Sequence, residues 1–252
     1  MMRLVKRLLW GTLFVAVLFV LSYIALIAWP APLFAHSVSA GKLVVASDRP
    51  IPREGGVKLL RDCEQLLARS QLMVEGRTYH LYVTGADWLH RLIFLYNPVA
   101  GGLEFYLGFR ATAFLSGADF DAGRLIKWDY VATPPRTLAY YCAHELTHVL
   151  VDERIGVVGW FKRPVWVQEG FPDYVAIEER QSFEELKAIL GDRPVDLRMM
   201  QTYGTYPRYR LLVTYFLEKK GWTVDQLLST RLSTDGALAI MRADDGAAAP
   251  AR

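Results

Sequence analysis

The chain has 252 residues, a net charge of +3, and 52% hydrophobic and 13% aromatic residues. That composition excludes general disorder and leaves room for one domain with a real core. The basic residues do not cluster after the first few positions, so no nucleic acid is expected as a partner, and there is no internal repeat of solenoid length.

Arg3, Lys6 and Arg7 open the chain, and Leu8 to Trp29 then runs without a charge. At 1.5 Å per residue that run is about 33 Å long, enough to cross the hydrocarbon core of a bilayer. It is longer than the apolar region of an ordinary cleaved signal peptide, and Trp29 stands where an interfacial aromatic is expected. The reading is a signal anchor, with the cationic end in the cytoplasm and the bulk of the chain outside. Cleavage near Val38-Ser39-Ala40 is the alternative. The expected division is a membrane helix over 1–29, a linker over 30–41, one domain over 42–242 and a frayed tail over 243–252.

Leu43 to Ala46 reads as a short strand, Arg53 to Arg69 as an amphipathic helix and Tyr79 to Val83 as the clearest strand. Asp87 to Leu95 suits a second helix. Leu103 to Phe109, Ala111 to Leu115 and Leu125 to Val131 suit strands separated by Gly and Asp turns. Thr133-Pro134-Pro135 marks a boundary. From Arg136 to about Arg154 the pattern is helical, with Gly156 as the stop and a loop to Arg163. A further helix starts at Pro164 or, better, near Glu169. Phe183 to Leu190, Tyr209 to Lys220, Val224 to Leu228 and Gly236 to Met241 complete the helices. The fold class is therefore α+β, a small mixed sheet followed by a helical lobe.

The two cysteines, Cys63 and Cys142, form no C-x-x-C pair, which argues against a cysteine zinc site. They are either a disulfide in an oxidising compartment or two small buried thiols. His80 and His90 lack metal-ligand spacing and read as structural, and Trp88, Phe94, Tyr96, Phe105 and Tyr106 read as core.

The chemistry concentrates in Tyr140-Tyr141-Cys142-Ala143-His144-Glu145-Leu146-Thr147-His148. This contains H-E-x-x-H. On a helix, His144 and His148 lie on one face, one turn apart, and can share one zinc ion, with Glu145 placed as a general base. A catalytic zinc needs a third protein ligand. Glu169, 21 residues beyond His148, can return on a following helix. Asp152, one turn after His148, is the weaker choice. A metzincin would need Gly at 151 and His at 154, where this chain has Val151 and Arg154.

Trp166-Val167-Gln168-Glu169-Gly170, followed by Asp173 and Tyr174, resembles the W-x-x-E-G-x-A-x-Y pattern of the gluzincin metallopeptidases, the group related to thermolysin and the M1 aminopeptidases. The resemblance covers about Arg136 to Tyr174. It implies a zincin-like domain, Zn²⁺ bound by His144, His148 and Glu169, and Glu145 as the catalytic base and acid. It also implies that Asp173 orients His144, and Gln168 could do the same for His148. Pro172 stands where the pattern has Ala, which favours a helix starting close to Glu169.

No histidine follows His148, so the oxyanion donor is expected among tyrosines or arginines. Tyr206 and Tyr209 are the first candidates, ahead of Tyr203, Tyr215, Arg208 and Arg210. A peptide or protein substrate is expected to lie extended on an edge strand, for which Ala111 to Leu115 is the candidate. The expected activity is that of a membrane-anchored zinc peptidase. An inactive zincin-fold, extracytoplasmic peptide-binding module is the alternative. The sequence leaves the oligomeric state open.

Overall fold

The computed structural model describes residues 2–127, 130–131, 136–191 and 193–248. The boundary expected at Thr133-Pro134-Pro135 lies outside these residues. The order is the one expected: mixed β and α first, then helices. The elements are α1 (Met2–Ala28), β1 (His36–Ala40), β2 (Leu43–Ser47), α2 (Arg53–Leu67), β3 (Tyr79–Val83), α3 (Asp87–Ile93), β4 (Gly102–Tyr106) and β5 (Ala111–Leu115). There follow β6 (Ala118–Asp119), β7 (Arg124–Lys127) and β8 (Tyr130–Val131). The helical part is α4 (Leu138–Lys162), α5 (Val165–Ala176), α6 (Phe183–Leu190), α7 (Leu197–Tyr203), α8 (Pro207–Thr214), α9 (Val224–Ser229) and α10 (Thr234–Ala248).

The main sheet has five strands in the order β1-β2-β3-β5-β4. The β2–β3 and β3–β5 pairs are parallel, while β1–β2 and β4–β5 are antiparallel. Successive strand residues face opposite sides, and the apolar ones divide accordingly. Leu43, Val45, Leu81, Val83, Ala113 and Leu115 enter the large core shared with α2, α4 and α5. Ala46, Tyr82 and Phe114 face a smaller cluster with Leu89, Ile93 and Phe94. The end of α1 closes that second cluster, where Ile27 and Ala28 are buried. Phe34, after a short 3-10 turn, packs its ring on Tyr82. A small meander of β6, β7 and β8 follows.

Several expectations change here. The linker over 30–41 contains β1, which pairs along its whole length with β2. The single strand expected over Leu125 to Val131 is two, β7 and β8, joined antiparallel. Ala111 to Leu115 is not an edge: β5 lies between β3 and β4, and β4 is the outer strand. The chain makes β4 first and then folds β5 inward, so that the more apolar of the two strands takes the buried position.

Gly156 does leave the helical region, with φ 65 and ψ −176. The chain re-enters a helix at once and continues to Lys162, so the expected loop is mostly helical. The two runs are clasped by a buried ion pair, Arg163 to Asp152 at 2.7 Å. Further on, α5 starts at Val165, not near Glu169, and Pro172 lies in its interior. Proline there leaves the Gln168 carbonyl without its intrahelical donor. Burial compensates: Trp166, Phe171, Pro172 and Val175 all face the core, and the Trp166 indole donates to the Leu232 carbonyl at 2.8 Å. α7 was not anticipated, and α10 runs through Ala248, into the segment expected to fray.

α1 contains one stretch, Val5–Ala28, long and apolar enough to cross a membrane, with mean hydropathy 2.5. Its side chains from Leu8 to Leu21 are largely exposed.

Candidate metal centre

α4 is capped by Thr137, whose side-chain oxygen accepts from the Tyr140 N–H at 3.1 Å. This cap fixes the first turn and hence the rotation of the helix. Apolar residues on both sides of the next two turns are buried, so α4 is a central helix between α2, the sheet and α5. His144 and His148 lie one turn apart on it, and their Nε2 atoms face each other at 3.3 Å.

α5 brings Glu169 across. Its Oε2 lies 3.7 Å from His144 Nε2 and 3.9 Å from His148 Nε2. The three side chains form a group that could hold a metal ion. The donor set fits one. With bonds of about 2.0–2.1 Å, tetrahedral ligand atoms stand about 3.3–3.4 Å apart. The two imidazoles already match that spacing, and the carboxylate is a few tenths of an ångström wide of it.

The close approach of α5 to its other neighbour, α8, depends on Gly170. A Cβ there would meet the Tyr209 carbonyl oxygen at 2.6 Å. The Glu-Gly pair therefore has a packing reason: the glycine lets α8 approach, and α8 supplies Tyr206.

Tyr206 stands at the first position before α8 and lines the cavity at the centre. Its ring stacks on His144 with centroids 5.9 Å apart. Burial raises its hydroxyl pKa well above the ordinary value, and the hydrogen-bonded Glu169 carboxylate adds to this, so it remains a proton donor. Tyr209 stands one turn further and stacks behind Tyr206, 6.1 Å away, without lining the cavity. Of the pair expected as oxyanion donors, only Tyr206 reaches the site. Tyr215 is buried in the core, and Arg208 is engaged with the carbonyls of Gly191 and Arg193.

Burial draws the titration of His148 down to about 3. For His144 burial pulls the same way, but the neighbouring Glu169 and Glu145 carboxylates outweigh it and the net shift is upward. Glu169 ends at about 2, because the two histidines overcome the effect of its burial. Glu145 is pushed up to about 7 by burial, with His144 opposing and Glu169 reinforcing. A carboxyl held near neutrality can both accept and return a proton.

The centre opens into a cavity of about 430 Å³. One wall is the outer strand β4, with Gly102, Leu103 and Glu104; the others come from α4, α5 and the segment before α8. Glu145 leans against β4, and a Cβ on Gly102 would lie 2.5 Å from its Cγ. Tyr96, expected in the core, is instead exposed and lines the mouth, and Trp88 is exposed as well.

Asp173 makes no described hydrogen bond to His144, although its charge adds to those that raise the His144 pKa. Its two oxygens receive the Tyr140 hydroxyl at 2.5 Å and Arg210 Nη1 at 2.9 Å, and all three side chains are buried. The sequence reading missed this. Arg210 belongs to α8 and Tyr140 to α4, so Asp173 ties together the helices that carry His144, Glu169 and Tyr206. Gln168 lines the cavity but makes no described hydrogen bond to His148. Asp152, weighed as a ligand, is committed to Arg163. Glu104, also missed, has its pKa pushed well above the ordinary value by burial and by Asp152 beside it.

His90 is buried against Phe94 as a structural histidine. Cys63 and Cys142 are free, buried thiols. Burial, and then the hydrogen-bonded Cys142, raise the Cys63 pKa well above its ordinary value.

The sequence matches no protein-family model and no curated protein.

Proposed function

We propose that this protein is a membrane-anchored zinc metallopeptidase of the gluzincin type, with a zincin-like domain outside the cytoplasm. One observation carries the reading: His144, His148 and Glu169 converge on one point, with Glu145 and Tyr206 beside it, in a cavity walled by an open strand edge. Zinc is the metal favoured by two imidazoles and a carboxylate, and when bound it supplies a Lewis acid that polarises the carbonyl and acidifies water.

The chain's own residues do the rest. A peptide lies extended along β4, using the main-chain groups of its outer edge for register. Glu145, titrating near neutrality, takes the proton of the attacking water and delivers it to the leaving amine. Tyr206 donates its hydroxyl hydrogen to the oxygen that gains charge. Asp173 and Arg210 hold the frame, and Gly102 leaves room for Glu145.

The exposed α1 supports the anchor, and Arg3, Lys6 and Arg7 before it support a cytoplasmic N-terminus. The test is metal analysis of the full chain in detergent, followed by digestion of a peptide library with and without chelator. Glu145→Gln should keep the metal and lose cleavage by about 100-fold or more. Stoichiometric metal without chelator-sensitive cleavage would sink the peptidase reading and leave the peptide-binding module.

A further inference from the structure

Five exposed apolar side chains of the chain follow one edge of the fold: Trp29, Phe109, Val157, Val158 and Phe161. Trp29, the first residue beyond α1, is 56% exposed and stacks on Phe109 at the tip of the β4–β5 hairpin, with ring centroids 5.9 Å apart. Phe109 is itself 66% exposed. The next residue back, Gly108, lies against the run after the Gly156 kink: a Cβ on it would stand 3.0 Å from Val157 Cγ2. In that run Val157, Val158 and Phe161 share one face of the helix, and they are 43%, 66% and 74% exposed. A continuous apolar edge therefore starts at the end of α1, crosses the hairpin tip and finishes on the last turns of α4. Lys162, a cation, closes it.

We propose that this edge is a second membrane contact, seated in the interfacial layer of the same bilayer that α1 crosses. The inference rests on α1 being a membrane anchor. Its own argument is position. A helix that leaves the hydrocarbon core at Trp29 sets that residue at headgroup level, and everything packed against Trp29 shares its height. The occupant must then be lipid, because water at that height gives way to headgroups and acyl chains. Five exposed apolar side chains with a terminal lysine match such a layer, the lysine reaching outward to phosphate. The domain would thus lie on the membrane by two points, not swing from one, and its cavity mouth would keep a fixed height.

The test uses the full chain reconstituted in phosphatidylcholine–phosphatidylglycerol vesicles. Single variants Phe109→Cys, Val158→Cys and Phe161→Cys carry a nitroxide, with Phe14→Cys in α1 and Ala188→Cys on α6 as references. The native cysteines are buried and remain unlabelled. Collision with oxygen, which partitions into lipid, is compared with collision with a water-soluble nickel complex. The expected result is lipid-like behaviour at 14, intermediate but oxygen-favoured behaviour at 109, 158 and 161, and water-like behaviour at 188. Water-like behaviour at 109, 158 and 161 with a lipid-like 14 would overturn the contact and leave the anchor standing. A water-like 14 would remove the anchor and the contact together. Shielding of 109, 158 and 161 from both reagents, with short label-to-label distances between copies, would assign the edge to self-association and overturn it too.

Discussion

Gly102 and Glu145 are in mutual contact: any side chain at 102 would begin 2.5 Å from the Glu145 Cγ and Oε1. Gly102 belongs to β4 and Glu145 to α4, so the position of the proposed base is set by a strand that is distant from it in sequence. Gly102→Ala should displace the Glu145 carboxylate while leaving His144, His148 and Glu169, the side chains of the candidate metal centre, where they are. The expected outcome is a fall in kcat of at least tenfold with metal content unchanged. Metal analysis and steady-state kinetics on the same preparation decide it, and an alanine variant with full activity would show that Glu145 needs no such support.

The two neighbouring tyrosines should separate cleanly. Tyr206 stacks on His144, whereas Tyr209 lies behind it and off the cavity. Loss of one oxyanion donor costs about 100- to 1,000-fold in kcat. Tyr206→Phe is expected to lose activity on that scale, with KM little changed and metal retained. Tyr209→Phe should stay within about twofold of the parent. Equal losses in both would mean that the pair serves packing alone.

Metal uptake should depend on one proton. His148 titrates at about 3 and Glu169 at about 2, so both are ready to ligate throughout the neutral range. His144 is the exception, since its pKa stands above the ordinary value of about 6.5. As pH falls through that raised pKa, a proton occupies the nitrogen the metal needs, and affinity declines. Zinc competition titrations from pH 5 to 8 should show a slope approaching one proton per ion, with the loss starting above pH 6.5. His144→Ala should abolish uptake and the slope with it. A flat profile would place the competing proton elsewhere.

The Asp173–Arg210 pair is fully enclosed, with side chains 0% and 2% exposed. Removing one partner of such a pair costs about 3–5 kcal/mol, because the other charge stays buried and uncompensated. Arg210→Met should lower the thermal midpoint markedly and weaken metal binding as α5 and α8 loosen. Restoring electrical balance with Asp173→Asn in the same chain should recover part of the loss, which calorimetry or a thermal-shift series can follow. Additive losses would show that the two residues act independently.

The parts legible in the sequence are those that local spacing determines. His144, Glu145 and His148 are fixed by helical period, the apolar stretch ending at Trp29 by length, and Glu169 by a short motif that its neighbours Trp166 and Gly170 justify in packing terms. What escaped depends on contacts between distant segments. Strand order decided that β4 and not β5 is the edge, and nothing in Ala111 to Leu115 reports its neighbours. Gly156 was read rightly as a break, but local pattern does not say that the chain resumes its helix. Arg210 and Tyr140 look like ordinary members of helical runs, and only the enclosed carboxylate of Asp173 shows why they are polar. Pro172 misled in the same way, since core packing tolerates a proline that propensity alone would place at a helix start.

The burial of Ile27 and Ala28 has a preparative cost. These residues finish α1, yet Ile27 belongs to the cluster it forms with Leu89, Ile93 and Phe94. A shortened chain beginning at Pro30, the obvious way to make the domain easy to handle in water, would strip that cluster of its cover. An isoleucine side chain of this kind contributes about 1.5–3 kcal/mol when fully buried. The trimmed protein would carry a bare oily socket on the back of its sheet and should stick to itself through it. Retaining the last turn of the helix, with its outward-facing residues made polar, would keep the socket filled.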